Sequence, residues 1–333
     1  MSLPTDALPQ AAEATTRYVD ALNLGMADAM AEDDTVVLIG IDVGVGGGIF
    51  TVTKGLYDRF GPSRVLDAPI SEMGYVGAAV GAAMTGLRPI VEIMFMDFVG
   101  VCLDPILNQA AKLRYMTAGA FSIPVVFRTQ TGAGRSAGAQ HSQSLEVIFA
   151  HIPGLKVVMP ATVTDAHDLL LESVRDPNPV VFVENRRLYS MRGSLGEAAL
   201  PLGKARVARE GEELTVVTWG QQLRECLAAA ENCTVSLEVI DLRSLVPLDL
   251  DTVVASVRKT GRLLVVHEAV QDFGAGAEIA ARVADELFDE LLAPVRRLGS
   301  PAVPMPFSPD LERSLLPDAE AVSRAAEAIR AEG

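Results

Sequence analysis

Short, wholly apolar runs recur along this chain, each followed by a stretch with helical periodicity. Val36-Val37-Leu38-Ile39-Gly40 is one such run, and others fall at 89–94, 124–128, 155–159 and 180–184. A strand that is apolar on both faces needs cover on both faces, which is the condition of a parallel sheet flanked by helices. Helices are predicted over 13–31, 72–85, 105–116, 142–151 and 164–175. Pro105 suits the first helical position, where its missing N–H is not needed.

Residues 192–204 hold Gly193, Gly196, Pro201 and Gly203 and predict a linker. A second α/β unit opens at Leu214-Thr215-Val216-Val217-Thr218-Trp219-Gly220, with strands at 235–240 and 263–266 and a closing helix at 318–331. The expected division is a mobile arm over 1–16, a first domain over 17–191, the linker, and a second domain over 205–333. A length of 333 residues leaves room for two domains of ordinary size. No internal repeat points to a solenoid.

A formal net charge of −15 speaks against the basic face that nucleic-acid binding requires. No apolar run approaches the roughly 18 residues of a membrane helix. The residues before Arg17 carry acids and no base, unlike a secretory signal or a transit peptide. Cys102, Cys226 and Cys233 lack metal or redox spacing. They read as buried or half-buried small hydrophobes in a reducing cytoplasm.

Within this frame, the run Asp67-Ala68-Pro69-Ile70-Ser71-Glu72-Met73-Gly74-Tyr75-Val76-Gly77, continuing to Gly81, sets one carboxylate at the start of a helix. Ser71 is the expected N-cap, which puts Glu72 in the first turn. Gly74, Gly77 and Gly81 share a helical face and allow close approach of a backbone or flat ligand. Read alone, Glu72 is an acid complementing the helix dipole, worth at most about 1 kcal/mol.

Flexible glycines in Thr131-Gly132-Ala133-Gly134-Arg135 precede Gly138-Ala139-Gln140-His141-Ser142-Gln143-Ser144. His141 there reads either as a proton-transfer group facing a cleft or as a residue packed beside a helix start. His151, His167 and His267 read as structural. Met94, Phe95 and Phe98 read most simply as core. Val43-Gly44-Val45-Gly46-Gly47-Gly48 reads as a flexible loop at a cofactor or subunit face. Asp176-Pro177-Asn178 reads as a helix end with an Asx turn. Neither a nucleophile elbow, nor zinc spacing, nor a phosphate-cradling glycine loop is present.

The Glu72 run resembles the aminopyrimidine-side motif of thiamine-diphosphate enzymes. The segment Gln140-His141-Ser142-Gln143 resembles one in the β subunits of 2-oxo-acid dehydrogenase first components. The stretch 238–249, Lys259-Thr260-Gly261-Arg262 and His267-Glu268-Ala269 look like a transketolase C-terminal domain, so the resemblance spans about 18–329. It implies an α/β fold of two parallel-sheet, three-layer domains, a transketolase pyrimidine-binding domain followed by a C-terminal one. It further implies that Glu72 bonds a pyrimidine ring nitrogen and His141 sits beside the reacting carbon. Met94 and Phe98 would line the pyrimidine pocket, and Asp176 and Asn178 would hold a structural potassium ion.

The Gly-Asp-Gly and Asn-Asn signature for the magnesium-diphosphate end is absent. By the same resemblance, that end belongs to a separate α subunit in an assembly of two α and two β chains. A second β copy and a lipoyl acyltransferase core are further implied partners. The segments 94–102, 107–109 and 114–116 look most like acetoin dehydrogenase β chains, so the implied substrate is acetoin or a pyruvate-type 2-oxo acid. A branched-chain 2-oxo-acid subunit and a catalytically silent scaffold are the alternatives. One departure stands out: Gly40-Ile41-Asp42-Val43 replaces a pattern with an acid directly after the glycine. A proton relay through that acid is then missing or moved to Asp42.

Overall fold

The computed structural model describes residues 15–196 and 200–332. Most of the predicted N-terminal arm, 1–14, lies outside the described residues. Its end is tied down: Thr16–Arg17 pairs antiparallel with Arg192–Gly193, inside the predicted linker.

The predicted apolar runs form a seven-stranded sheet. Its order is Ser244–Val246, Lys156–Val158, Val180–Asn185, Val126–Thr131, Arg88–Ile93, Val36–Gly40 and Val65–Asp67. All pairings are parallel except the first, where Ser244–Val246 runs against Lys156–Val158. The four strands Val36–Gly40, Arg88–Ile93, Val126–Thr131 and Val180–Asn185 are buried almost throughout, as the unbroken hydrophobic runs demand. A second sheet of five strands has the order Arg296–Ser300, Leu263–Val270, Leu214–Thr218, Leu237–Asp241 and Arg206–Arg209, with only the last antiparallel.

Several elements depart from the sequence reading, each for an identifiable physical reason. The predicted helix over 142–151 shrinks to Glu146–Ala150. Its first residues are held as a loop, because the Gln143 N–H donates to Asp97 and the Gln143 carbonyl accepts from Thr131 Oγ1. The helix over 105–116 begins as a π turn, Pro105–Ala110, before Ala111–Met116. The wider turn lets both Ala110 and Ala111 face the core. Ser71 occupies the N-cap position but makes no capping bond with its side chain. The glycine loop after Gly40 is folded rather than flexible: Gly48 N–H donates to Asp42 O, Thr53 Oγ1 to Val43 O, and Gly44 N–H to Asp67 Oδ1. None of the helices over the described residues is long and apolar enough to cross a membrane.

The two units share one core, which runs from Tyr75 and Ile93 through Phe149 and Leu155 to Trp219, Ile240 and Val257. Buried polar groups fasten the junction. Arg243 donates to Asp165 Oδ1 from Nε at 2.9 Å and from Nη2 at 2.8 Å. The same guanidinium also donates to the carbonyls of Leu200, Pro201 and Lys204 at the end of the linker. Asp241 lies beside this pair, its Oδ1 accepting from Arg243 N–H at 3.1 Å.

Burial first, and the Asp165 charge second, push the Asp241 carboxyl up to about 7. Ionisation in the unfolded chain falls near 3.8, so between these values the native state keeps a proton that the unfolded state has lost. The contribution of this group to stability therefore declines as pH rises through that window, and the cost is complete above it. Asp241→Asn keeps the acceptor and removes the charge. Calorimetric or urea unfolding should show the variant gaining on the parent between about pH 4 and 7, by on the order of 1–2 kcal/mol at the upper end. A difference independent of pH would overturn this assignment.

Candidate functional site

In the first sheet the chain passes from Val36–Gly40 to Val65–Asp67 on one side and then to Arg88–Ile93 on the other. Such a reversal opens a crevice beyond the carboxyl ends of parallel strands, the usual ligand position in open α/β sheets. Gly40 is in register with both Asp67 and Glu92, so the three strand ends stand side by side, about 4.8 Å apart. The segments that follow these strands, and the one that follows Val126–Thr131, carry the residues singled out from sequence.

Glu72 is the first residue of the helix Glu72–Met84 and is only 7% exposed. Its carboxylate makes no hydrogen bond or ion pair among the described residues. Tyr75, one turn on, donates from its hydroxyl to Glu92 O at 3.1 Å and so ties the helix to the sheet. Glu72 lies within electrostatic reach of Cys102, whose thiol is pushed up to about 12 by burial and then by this carboxylate. Cys102 follows directly on the 3-10 turn Met96–Val101 and contacts Phe98 O through Sγ. The helix start and the Phe98 turn thus meet.

A carboxylate that nothing in its own chain engages is free to accept from an N–H or protonated ring nitrogen of a bound heterocycle. The residues present therefore fit the pyrimidine end of thiamine diphosphate. The glycines of the same helix face outward. A Cβ added at Gly77 or Gly81 would meet nothing within 4 Å, so that face is open to another chain.

Phe98 and Met94 are half-buried and pack on the core beside this helix. Gln130 Nε2 donates to Met94 O at 2.5 Å. His141 reaches the same place from the glycine loop. Its ring meets Phe98 edge-on at 5.4 Å and Phe95 at 4.7 Å. Beneath lies a buried ionic group: Arg128 donates to both oxygens of Glu184 at 2.6 and 3.0 Å and to Glu92 at 2.9 Å. Tyr189 also donates to Glu184, at 2.6 Å. Burial raises the Glu92 carboxyl despite Arg128, and the like charge of Glu184 adds to the rise.

Sequence reasoning placed Phe95 in the core and missed two other contributors. Arg186 lies over the Phe50 ring at 4.4 Å and near Phe95 at 5.9 Å. The only sequence signal for it was a basic pair directly after a buried strand. Glu268, from the second unit, accepts from Ala133 N–H at 2.5 Å and from Asn185 Nδ2 at 2.9 Å, holding the loop that leads to His141. Its carboxyl is pushed up to about 7, chiefly by burial.

The remaining candidates lie apart from this crevice. Asp176 pairs with Lys156 and also accepts from Asn178, while Asn178 Oδ1 accepts from Arg114 at 2.6 Å. Two cations thus already bond side-chain oxygens of this turn, Lys156 at Asp176 and Arg114 at Asn178. Among the described residues no group of His, Cys, Asp and Glu is placed to hold a metal. Ile41 is buried and Asp42 is exposed with φ of 56°. His267 stacks on Trp219 at 5.2 Å and burial holds it down at about 4, a structural role. His167, on the Val163–Arg175 helix, bonds its neighbour Asp168 and Asp28 of the Tyr18–Glu32 helix.

Residues 14–192 match the pyrimidine-binding domain of transketolase, and residues 203–322 its C-terminal domain. The chain is 47% identical, over 90% of its length and 92% of the relative's, to the acetoin:2,6-dichlorophenolindophenol oxidoreductase β subunit of Bacillus subtilis. It is 45% identical to the counterpart in Cupriavidus necator, covering 92% of this chain and 95% of that one. Identity is also 45% to a mitochondrial pyruvate dehydrogenase E1 β subunit of Oryza sativa, covering 95% of this chain and 86% of that one. A solved split-gene transketolase, described as an inactive β4 tetramer, shares the fold with a TM-score of 0.76 at 22% identity, over 94% of this chain and 98% of the other. The chain belongs to the transketolase-like family of acetoin and pyruvate dehydrogenase E1 β subunits.

Proposed function

We propose that this chain is the β subunit of a thiamine-diphosphate-dependent dehydrogenase that cleaves acetoin or a pyruvate-type 2-oxo acid and passes the acyl group oxidatively to lipoamide. The observation that carries the reading is the unpartnered carboxylate of Glu72, a largely buried residue beside an aromatic wall. Acetoin is favoured as substrate by similarity to two acetoin:2,6-dichlorophenolindophenol oxidoreductase β subunits. The cofactor supplies the electron sink for carbon–carbon cleavage. This chain's part is to bind and orient. Glu72 accepts a hydrogen bond from the pyrimidine ring and sets its protonation state, strengthened by the low dielectric around it. Phe98 and Met94 flank the ring and exclude water, and His141 handles a proton beside the reacting carbon.

The magnesium-diphosphate end falls to an α subunit, in an assembly of two α and two β chains with a lipoyl acyltransferase core. The three cysteines are unpaired, in keeping with a reducing cytoplasm. Asp176 and Asn178 act in this reading as a turn rather than as ligands.

Co-expression with an α chain carrying Gly-Asp-Gly and Asn-Asn should yield acetoin- or pyruvate-dependent reduction of dichlorophenolindophenol that requires added thiamine diphosphate. The β chain alone should be inactive. Turnover by the β chain alone would refute the subunit assignment.

Because Glu72 has no partner within its chain, Glu72→Gln should leave the melting temperature of the isolated chain unchanged or slightly raised. In the assembled enzyme the same change should lower turnover by on the order of 10²-fold or more. A variant that melts several degrees lower, or turns over near the parental rate, would remove Glu72 from the role.

A further inference from the structure

The loop carrying His141 is fastened on both sides of that residue, yet nothing in the fastening touches its ring. Thr131 Oγ1 donates to Gln143 O at 2.9 Å. Asp97 Oδ1 accepts from Gln143 Nε2 at 2.9 Å and from its N–H at 3.3 Å. Leu145 N–H points at Met96 Sδ at 3.0 Å, and His141 N–H donates to Gly138 O at 3.3 Å. These contacts fix the backbone. Among the described residues neither imidazole nitrogen of His141 makes a hydrogen bond or ion pair, whereas the rings of His167 and His267 are held by Asp28, Asp168 and the Ala269 carbonyl.

What orients the His141 ring is aromatic. Phe95 meets it at 4.7 Å and 85°, Phe98 at 5.4 Å and 83°, both edge-to-face geometries that the ring quadrupoles favour. Phe95 is the nearer of the two and is itself held from three directions. Phe50 meets it at 5.5 Å and 89°, Phe98 at 5.6 Å and 72°, and the Arg186 guanidinium lies over Phe50 at 4.4 Å and within 5.9 Å of Phe95. The guanidinium adds a cation–π contact that pins the outer ring of the cluster.

We propose that Phe95, braced by Phe50 and Arg186, is the positioning residue for His141. It sets the plane of the imidazole by ring contact and leaves both nitrogens uncommitted. A carboxylate in its place would bind one nitrogen and choose the tautomer; an aromatic edge does neither. The inference rests on the reading of His141 as the group beside the reacting carbon.

The test uses the full chain labelled with 13C at the histidine ε carbon, and the assembled enzyme for kinetics. His141→Asn identifies the His141 signal by its loss and measures the weight of the histidine itself. Phe95→Leu should move the His141 signal, by removing the ring current of its nearest neighbour, and leave those of His151, His167 and His267 in place. In the assembled enzyme it should lower kcat by on the order of 10-fold or more while substrate KM changes less than about 3-fold. Phe95→Tyr, which keeps the ring, should restore both. Should Phe95→Leu fail to fold, Phe95→Met fills similar volume without a ring and carries the same expectations.

If His141→Asn keeps parental turnover, the reading of His141 fails and this proposal falls with it. If His141→Asn is inactive but Phe95→Leu leaves the signal and kcat at parental values, the positioning role alone is overturned. A fall in kcat with an unmoved His141 signal overturns it as well.

Discussion

The buried guanidinium of Arg243 is where two α/β units become one structure. It comes from the second unit, bonds Asp165 of the first, and takes three linker carbonyls with its remaining N–H groups. Breaking such a pair strands a charge in a place water does not reach, at a cost of about 3–5 kcal/mol. Arg243 also adopts a left-handed φ of 60°, which a non-glycine residue keeps only where its surroundings over-determine it. The next residue starts the Ser244–Val246 strand, which joins the first sheet beside Lys156–Val158. The clamp therefore sets where the second unit's chain enters the first unit's sheet.

This junction reaches the site through Glu268. Its carboxylate fills the space beside Gly132, where a Cβ would lie 2.5 Å from Asn185 Nδ2 and 2.8 Å from Glu268 Oε1. With φ of 101°, that position admits only glycine without strain. The loop bearing His141 is thus shaped by two carboxylates from the far unit, Glu268 at Ala133 and Glu312 at Ser136, and anchored by Asp97 from the near one. Below it, the Arg128, Glu92 and Glu184 group lines a void of about 10 Å³ together with Phe50, Met94 and Tyr189. That is room for about one water molecule, so the floor under the aromatic cluster has little freedom to repack.

The sheet strands were legible because a parallel sheet covered on both faces leaves only apolar side chains to choose from, and Val36–Gly40 or Val180–Asn185 say so plainly. Glu72 was legible because its neighbours, not its own chemistry, carry the pattern. Other features depend on long-range partners and left no local mark. The start of the 142–151 helix is lost to bonds from Thr131 and Asp97. The Asx turn at Asp176 and Asn178 is claimed by Lys156 and Arg114, which lie 20 and 64 residues away from their respective partners. The antiparallel edge strand at Ser244–Val246 belongs by sequence to one unit and by hydrogen bonding to the other.

The same distinction separates what this chain completes from what it leaves open. Its buried ionic groups at Arg128 and Arg243 are matched by partners in the chain, as burial requires. Glu72 has no partner among the described residues, and a Cβ added at Gly77 or Gly81 of its helix would meet nothing within 4 Å there. A carboxylate that persists in that state is understandable if its partner arrives from outside the chain. On the proposed reading two arrivals meet there: the heterocycle of the cofactor at the carboxylate, and another chain across the open helix face. A site completed only on assembly then restricts chemistry to the complex, where the acyl group has an acceptor.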